Sequence, residues 1–329
     1  MGSLSLIGSF KEEINSHGIG DTIFTRSRNI EKLLDFSQIW LKFEGGNPTG
    51  TMKDRAAYAC LKLAKKGGFG VLAIASCGNF GASFVHLSKV FGIEPHVYVP
   101  SQYHTPRIRE MEKAGGVLHR APGTYEELVE LAGREAEENG WFNANPGVEA
   151  NTRASMEAYA TISKEIFGRL GYAPDVVSVP VGNGTTLAGV HMGFRALRER
   201  GEADKVPVMV AASTAGGNPV VGCFLRGSKK IKDLEPSEIA ETEHNEPLVS
   251  WRSLDGQRAL DALWESGGWA TYVSDDNLLA FSEILAHEEG LLVLPASASS
   301  LAALAEYAKG RSGEKKARSY VAVLTGRRH

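Results

Sequence analysis

Cysteine is scarce in this chain: three among 329 residues, at Cys60, Cys77 and Cys223. Their scatter fits neither a disulfide framework nor a metal-ligand set, so a reducing compartment is expected and no metal site. Long apolar runs are missing as well. No stretch approaches the roughly 20 residues that a membrane span needs, and MGSLSLIGSF lacks the basic-then-apolar order of a secretion signal. Charge of one sign is missing too. Lys+Arg number 36 and Asp+Glu 39, a net charge of −3, which argues against nucleic acid or another polyanion as partner. There is no fixed-period repeat and no low-complexity tract. These absences lead to the expectation of a cytoplasmic protein without a nucleic-acid or membrane partner. Its composition, 43% hydrophobic and 23% charged, is that of a globular chain long enough for two subdomains with cores of their own.

The order of the chain gives the fold class. Short strands are expected at Thr22–Phe24 and Ile39–Phe43, then a helix over Asp54–Lys66, stopped by Gly67-Gly68. A regular alternation follows. Strands are expected at Val71–Ala75, His96–Val99 and Val117–Arg120, and helices at Gly81–Phe91, Thr105–Ala114 and Tyr125–Asn139. A second series begins with helix Asn151–Leu170, strand Val176–Val181, helix Leu187–Arg200, strand Val206–Ala212 and helix Asn218–Leu225. Residues 228 to 256 are polar and irregular, as in a charged surface segment. Helix Gln257–Glu265, strand Ala270–Val273, a helix over 276–289, strand Leu291–Leu294, helix Ser297–Lys309 and strand Tyr320–Leu324 complete the chain. Strands alternating with helices of this length predict parallel βαβ units, hence an α/β fold.

Four stretches carry candidate chemistry. Lys53 follows the loop Asn47-Pro48-Thr49-Gly50 and opens a helix. A lysine pinned there and partly desolvated loses preference for its charged form, and a neutral amine can attack an aldehyde. Taken alone, the stretch reads more readily as an exposed lysine beside a turn. Ser76-Cys77-Gly78-Asn79 lies between a strand and a helix, where backbone amides attract anions such as a carboxylate, although a plain turn has the same composition. No His or Lys flanks Cys77 to activate it as a redox nucleophile. Val181-Gly182-Asn183-Gly184-Thr185-Thr186 can cradle a phosphate with amides and hydroxyls. A dinucleotide fingerprint fails because Leu187 stands at the third glycine, and a P-loop fails for want of Gly-Lys-Ser/Thr, so a single phosphate monoester fits better. The fourth stretch pairs Leu294-Pro295-Ala296-Ser297-Ala298 with Val323-Leu324-Thr325-Gly326, and Thr325 alone would be a strand-end residue.

Glu44, Asn47-Pro48-Thr49-Gly50 and Lys53-Asp54-Arg55 together resemble the lysine motif of pyridoxal-phosphate (PLP) enzymes of the tryptophan-synthase-β type, fold type II. Within that group the wording most resembles the threonine synthases. Thr51-Met52 stand where serine and an apolar residue usually precede the lysine. Ser76-Cys77-Gly78-Asn79 is similar to the family's Ser-x-Gly-Asn, with Cys77 for threonine. Pro180-Val181-Gly182-Asn183 is similar to its phosphate loop. Leu294-Pro295-Ala296-Ser297-Ala298 is similar to Glu-Pro-Ala-Ser-Ala, with Leu294 for glutamate. The resemblance spans about Thr22 to Gly326.

The resemblance implies two parallel-sheet α/β subdomains with PLP in the cleft between them. Residues 1–60 and 146–329 would form the large one, and 61–145 a small mobile one, in a homodimer. Lys53 would carry PLP as a Schiff base and act as the catalytic residue. Asn79 would bond the ring hydroxyl oxygen, Gly182, Asn183, Gly184, Thr185 and Thr186 the phosphate, and Thr325 the pyridine nitrogen. A neutral hydroxyl cannot hold that nitrogen protonated, which biases the chemistry toward elimination and replacement. Ser76, Cys77, Gly78 and Asn79 would hold an amino-acid substrate. The implied activity is a threonine-synthase-like carbon–oxygen lyase acting at Cβ or Cγ. The alternatives are a threonine or serine dehydratase, a cysteine-synthase-like β-replacement enzyme, or a non-catalytic amino-acid-binding paralogue.

One stretch departs from this pattern. Threonine synthases hold the phosphate of O-phosphohomoserine with Ser and Arg in Asn-Ser-x-Asn-Pro-x-Arg. Here Phe142-Asn143-Ala144-Asn145-Pro146-Gly147-Val148 places Asn143 at the serine and Val148 at the arginine. Valine cannot pair with a dianion. Asn143 with Arg153 is the expected substitute, and Arg107 or His191 are further nearby cations. The family's Gly-Leu-Lys-Asp is also absent after Thr325-Gly326, where Arg327-Arg328-His329 stand instead.

Overall fold

The structure, a computed structural model, describes residues 10–36, 38–309 and 318–328. Most of the opening MGSLSLIGSF stretch and the final His329 lie outside the described residues. Two sheets organise the chain. The larger has the order β1-β2-β10-β7-β8-β9, built from Ile23–Arg26, Gln38–Phe43, Ser319–Leu324, Val176–Pro180, Val208–Thr214 and Trp269–Val273. All its pairings are parallel except β1 with β2, an antiparallel edge. The smaller, β5-β4-β3-β6, is wholly parallel and uses Val117–Ala121, Glu94–Pro100, Val71–Ala75 and Phe142–Asn143.

Central parallel strands covered on both faces must be apolar throughout. β7 and β10 come close to that demand: every residue is buried, and Ser178 and Ser319 are the serines among them. The helices are labelled in chain order. α1 covers residues 10–15 and α2 Arg28–Leu34. α3 is Lys53–Lys66, α4 Asn79–Phe91, α5 Pro106–Lys113, α6 Tyr125–Asn139 and α7 Glu149–Leu170. α8 is Thr185–Glu199, α9 Pro219–Leu225, α10 Gly256–Glu265, α11 Asp275–Glu289 and α12 Pro295–Tyr307. Several start on side-chain caps, which satisfy amides left without intrahelical partners. Thr124 and Glu127 close a capping box on α6, Thr105 caps α5 and Asn218 caps α9.

Three sequence expectations need correction. Leu291–Leu294 is not a strand and contributes only the Val293–Arg327 bridge. Both edges of β10 are taken by β2 and β7, so no ladder was open to it. The two-residue β6 was not expected, being too short for a periodic signal. α1 and α2 fall in a region that the sequence left unassigned. Helices α3, α4, α7 and α8 also begin one or two residues before their expected starts. In α3, α4 and α8 this puts Lys53, Asn79 and Thr185 in the first helical turn.

α3 joins the two halves. Its Met52 and Ala56 end packs with Tyr159, Val179, Leu187 and Val323 beside the six-stranded sheet. Further along, Ala57, Tyr58, Cys60, Leu61 and Ala64 pack with Leu72, Ile74, Phe84 and Val97 of the four-stranded unit, together with Ile14 and Ile19. No helix among the described residues is long and apolar enough to cross a membrane.

Candidate active site

Lys53 is the first residue of α3 and stands between two connected hollows. One, of about 130 Å³, is lined by Lys53, Asn79, Gly182 to Thr186, Leu294, Ala296, Ser297 and Thr325. The other, of about 350 Å³, is lined by Lys53, the Ser76–Phe80 loop and residues of the 228–255 segment. Lys53 Nζ lies 5.2 Å from the Phe80 ring centroid. Burial pushes its amine below the ordinary lysine value, while Asp255 and Glu246 pull it back in part.

The turn before Lys53 is held from behind. The Met52 amide donates to the Thr325 carbonyl at 2.9 Å, and Thr51 bridges Gly326. Asp54 accepts from the amide and hydroxyl of Thr49 at 2.8 and 2.7 Å. Glu44, Asn47 and Arg55, the other residues of the lysine motif, do not face either hollow. Arg55 donates to both oxygens of Glu44 at 2.7 and 2.9 Å and to both oxygens of Glu165 at 2.7 and 2.9 Å. Lys42 donates to Glu165 at 2.5 Å, and Asn47 to Glu44 at 2.9 Å. All four charged side chains are sealed from water. Arg55 and Lys42 hold Glu165 down at about 2, against the desolvation that would raise it.

On the smaller hollow, Gly182 to Thr186 form the turn from β7 into α8. Gly184 has φ +89°, and a Cβ there would lie 2.5 Å from Ala259 Cβ. A Cβ on Gly182 would lie 2.5 Å from the Pro247 carbonyl oxygen. Only glycine fits at both positions. The first-turn amides of α8 have no partner within the helix, and with the helix dipole they form an anion cradle. Across the hollow the hydroxyls of Thr325 and Ser297 lie 2.7 Å apart. No carboxylate among the described residues lines this hollow.

Asn79 opens α4. Its Oδ1 accepts from Arg107 Nε at 2.8 Å, which leaves Nδ2 as the atom that can donate into the hollow. Ser76 Oγ accepts from the Gly81 amide at 2.9 Å and so closes its own loop. Cys77 donates its thiol to Glu246 Oε1 at 3.6 Å, and burial pushes that thiol well above its ordinary value, which removes it as a redox nucleophile.

The donor set fits a phosphorylated pyridine aldehyde. A lysine biased toward its neutral form, an anion cradle, a fixed amide donor and a hydroxyl pair surround one small hollow. Lys53, Asn79, Gly182, Asn183, Gly184, Thr185, Thr186 and Thr325 all line it. Ser76, Cys77, Gly78 and Asn79 line the larger one.

The residues named as substitutes for the missing arginine do not join them. Arg153 is exposed and pairs with Glu157 at 3.2 Å. Asn143 is turned into its own loop, where its Oδ1 accepts from Asn145 Nδ2 at 2.8 Å. Arg107 is committed to Asn79, to the Thr49 carbonyl at 2.8 Å and to Glu110 at 2.6 Å. His191 is buried within α8 and pushed down to about 4 by desolvation. Val148 caps the start of α7. None of these five side chains lines either hollow.

The sequence resemblance extends to Glu246–Trp251 but assigned no site role to Glu246 or Trp251, nor to Asp255, Tyr103 and Tyr125, all of which line the larger hollow. Asp255 accepts from Thr152 and Thr185 at 2.6 and 2.7 Å and ties the Gly182–Thr186 turn to α7. Residues 228 to 256 are therefore not simply surface. The Glu246–Trp251 part lines the hollow, and its apolar Pro247, Val249 and Trp251 were the available signal.

Comparisons with known proteins agree with this geometry. A family model described as pyridoxal-phosphate dependent enzyme matches residues 16–326. A threonine synthase of Methanocaldococcus jannaschii is 31% identical over 287 residues, which cover 87% of this chain and 69% of that protein. A threonine synthase of Mycobacterium bovis is 30% identical over 286 residues, 87% of this chain and 75% of that protein. The solved processed form of threonine deaminase isoform 2 from Solanum lycopersicum superposes with a TM-score of 0.80 at 16% identity, covering 100% of this chain and 86% of that one. The serine racemase of Dictyostelium discoideum superposes with a TM-score of 0.79 at 18% identity, covering 99% and 98%. These two show the shared fold. The chain therefore belongs to the pyridoxal-phosphate dependent enzymes of fold type II, and among them it is similar to the threonine synthases, lyases of amino-acid metabolism.

Proposed function

We propose that this chain is a threonine-synthase-like PLP lyase in which Lys53 holds the cofactor and then moves the proton. The observation that carries this is Lys53 itself, among the described residues the one cation lining both hollows, desolvated and fixed at the head of α3. When bound, PLP supplies an electron-withdrawing ring that stabilises charge at the substrate Cα.

The residues of the chain do the rest. Lys53 Nζ would take the substrate's Cα proton and return a proton later in the cycle. The Gly182–Thr186 cradle would hold the phosphate, Asn79 Nδ2 would donate to the ring oxygen, and the Thr325–Ser297 hydroxyl pair would meet the ring nitrogen. A neutral partner at that nitrogen favours loss of a leaving group from Cβ or Cγ over amino transfer. The Ser76–Asn79 loop at the head of α4 takes the substrate carboxylate through its exposed amides.

The test is borohydride reduction in the presence of PLP, followed by peptide mass mapping. A reduced adduct on Lys53 is expected. An adduct elsewhere, or none, rejects the reading. A catalytically silent binding paralogue would keep the adduct and turn over no amino acid.

A second reading, dehydration or β-replacement on an unphosphorylated substrate, is favoured by the position of Val148 away from the hollow. The resemblance also implies a cytoplasmic homodimer, which sedimentation velocity checks. We further propose that residues 61–145 act as the unit that closes over substrate. Two contacts support this: Tyr103 donates to Glu241 at 2.6 Å and Arg252 pairs with Glu130 at 3.1 Å, linking that unit to the 228–255 segment.

A further inference from the structure

We propose that Glu246 sets the substrate class of the larger hollow: an amino acid whose side chain ends in a cation, with phosphorylated side chains excluded. The inference rests on the reading of Lys53 as the cofactor lysine, and it concerns what lies beyond the cofactor.

The charges lining the hollow are lopsided. Among the described residues four carboxylates line it, Glu126, Glu241, Glu246 and Asp255, against the single cation Lys53. Arg107 and Arg153 are engaged elsewhere, as described, and neither lines it. A phosphate dianion would meet these acids with no arginine to pair with, and an uncompensated charge out of water is costly. A binding site built for phosphate has the opposite composition.

The four acids are not equivalent. Asp255 is satisfied by two threonine hydroxyls and by the Gly147 amide at 3.2 Å. Glu241 accepts from the Tyr103 hydroxyl, and Glu126, in the first turn of α6, from its own amide. Among the described residues, Glu246 accepts only from the Cys77 thiol at 3.6 Å, and a thiol is a weak donor. Its Oε1 also overhangs the carboxylate loop, 3.9 Å from where a Cβ on Gly78 would sit. Glu246 therefore lies on the wall of the larger hollow, beside the loop that takes the amino acid. Lys53 is close enough to Glu246 for each to shift the other electrostatically. Lys53 is one cation against four carboxylates and cannot neutralise them all. An ammonium on the substrate side chain then supplies the missing charge and a full-strength donor.

A matched four-carbon series tests this: 2,4-diaminobutyrate, homoserine and O-phosphohomoserine differ only at the γ-substituent. Binding to the PLP-loaded protein is measured by calorimetry and by the change in cofactor absorbance. Diaminobutyrate should bind tightest and homoserine about tenfold more weakly, the size of one charge-assisted hydrogen bond. O-phosphohomoserine should bind more weakly still. Glu246→Gln should remove the advantage of diaminobutyrate over homoserine, and Glu246→Lys should invert the order toward O-phosphohomoserine. The proposal falls if O-phosphohomoserine binds wild type more tightly than homoserine, or if both variants keep the wild-type order. It also falls if an adduct forms on Lys53 and none of the three amino acids binds. Absence of the Lys53 adduct itself would instead reject the cofactor reading on which the proposal stands.

Discussion

The first turn of α3 has charged groups on two sides, and the two sides treat them differently. Behind it, Lys42, Glu44, Arg55 and Glu165 form a sealed cluster of two cations and two anions. Each carboxylate oxygen there accepts at least one hydrogen bond from an ionised or amide donor. In front, Lys53 faces four carboxylates across a hollow. Behind, pairing outweighs desolvation, and Glu165 stays ionised far below the usual carboxylate range. In front, desolvation dominates. Lys53 moves down while Glu246 and Glu126 move up, each toward its neutral form. Burial alone therefore does not decide protonation. The number of matched partners does. The sealed cluster ties the first turn of α3 to Glu165 of α7.

Four experiments sharpen or break this contrast. The largest effect belongs to Lys53→Ala. Turnover should fall by about a thousandfold or more, while the thermal midpoint moves by only about a few degrees. A collapse of the midpoint would erase the division between a structural and a chemical side. Next is Glu165→Gln, which leaves Arg55 and Lys42 with surplus buried charge. Urea denaturation should show a loss of about 3–5 kcal/mol, with the Lys53 adduct still forming in the folded fraction.

The pH dependences should run over different windows. The folded-state value of Glu165 lies below its unfolded value. Its contribution is therefore complete above the ordinary carboxylate range and is lost as pH falls from there toward about 2. Glu165→Gln should flatten that acid limb. Lys53 is lowered, so its amine should react with an aldehyde probe at a pH below that at which surface lysines begin to react. A common onset would mean that its environment is not desolvating. The smallest effect is expected from Arg107→Met, which frees the Asn79 amide to turn. Cofactor binding should weaken about tenfold, the worth of one fixed hydrogen bond, and stability should fall by about 1–2 kcal/mol as the Thr49 carbonyl and Glu110 lose their partner.

The lysine motif shows how far a sequence can be read. Its composition marked Lys53, but Glu44, Asn47 and Arg55 carry the same motif and serve the sealed cluster. Their partners, Lys42 and Glu165, were invisible because Glu165 is 110 residues from Arg55 along the chain. The glycines at 182 and 184 were legible as a turn because the backbone alone requires them. Glu246–Trp251 was legible only as a resemblance, since the meeting of Glu246 with Cys77 depends on the Ser76 loop folding beneath it.

The alternation of apolar strands with helices, and the local motifs at Lys53, Asn79, Gly182 and Thr325, were determined by the sequence itself. Those signals are local, set by backbone geometry and short-range periodicity. Only the tertiary structure decided which charges meet. It seated Arg55 against Glu165, kept Arg153 and Val148 away from the hollow, and turned part of an irregular segment into its lining. Electrostatics acts through space, and the distances that govern it do not exist until the two sheets have formed.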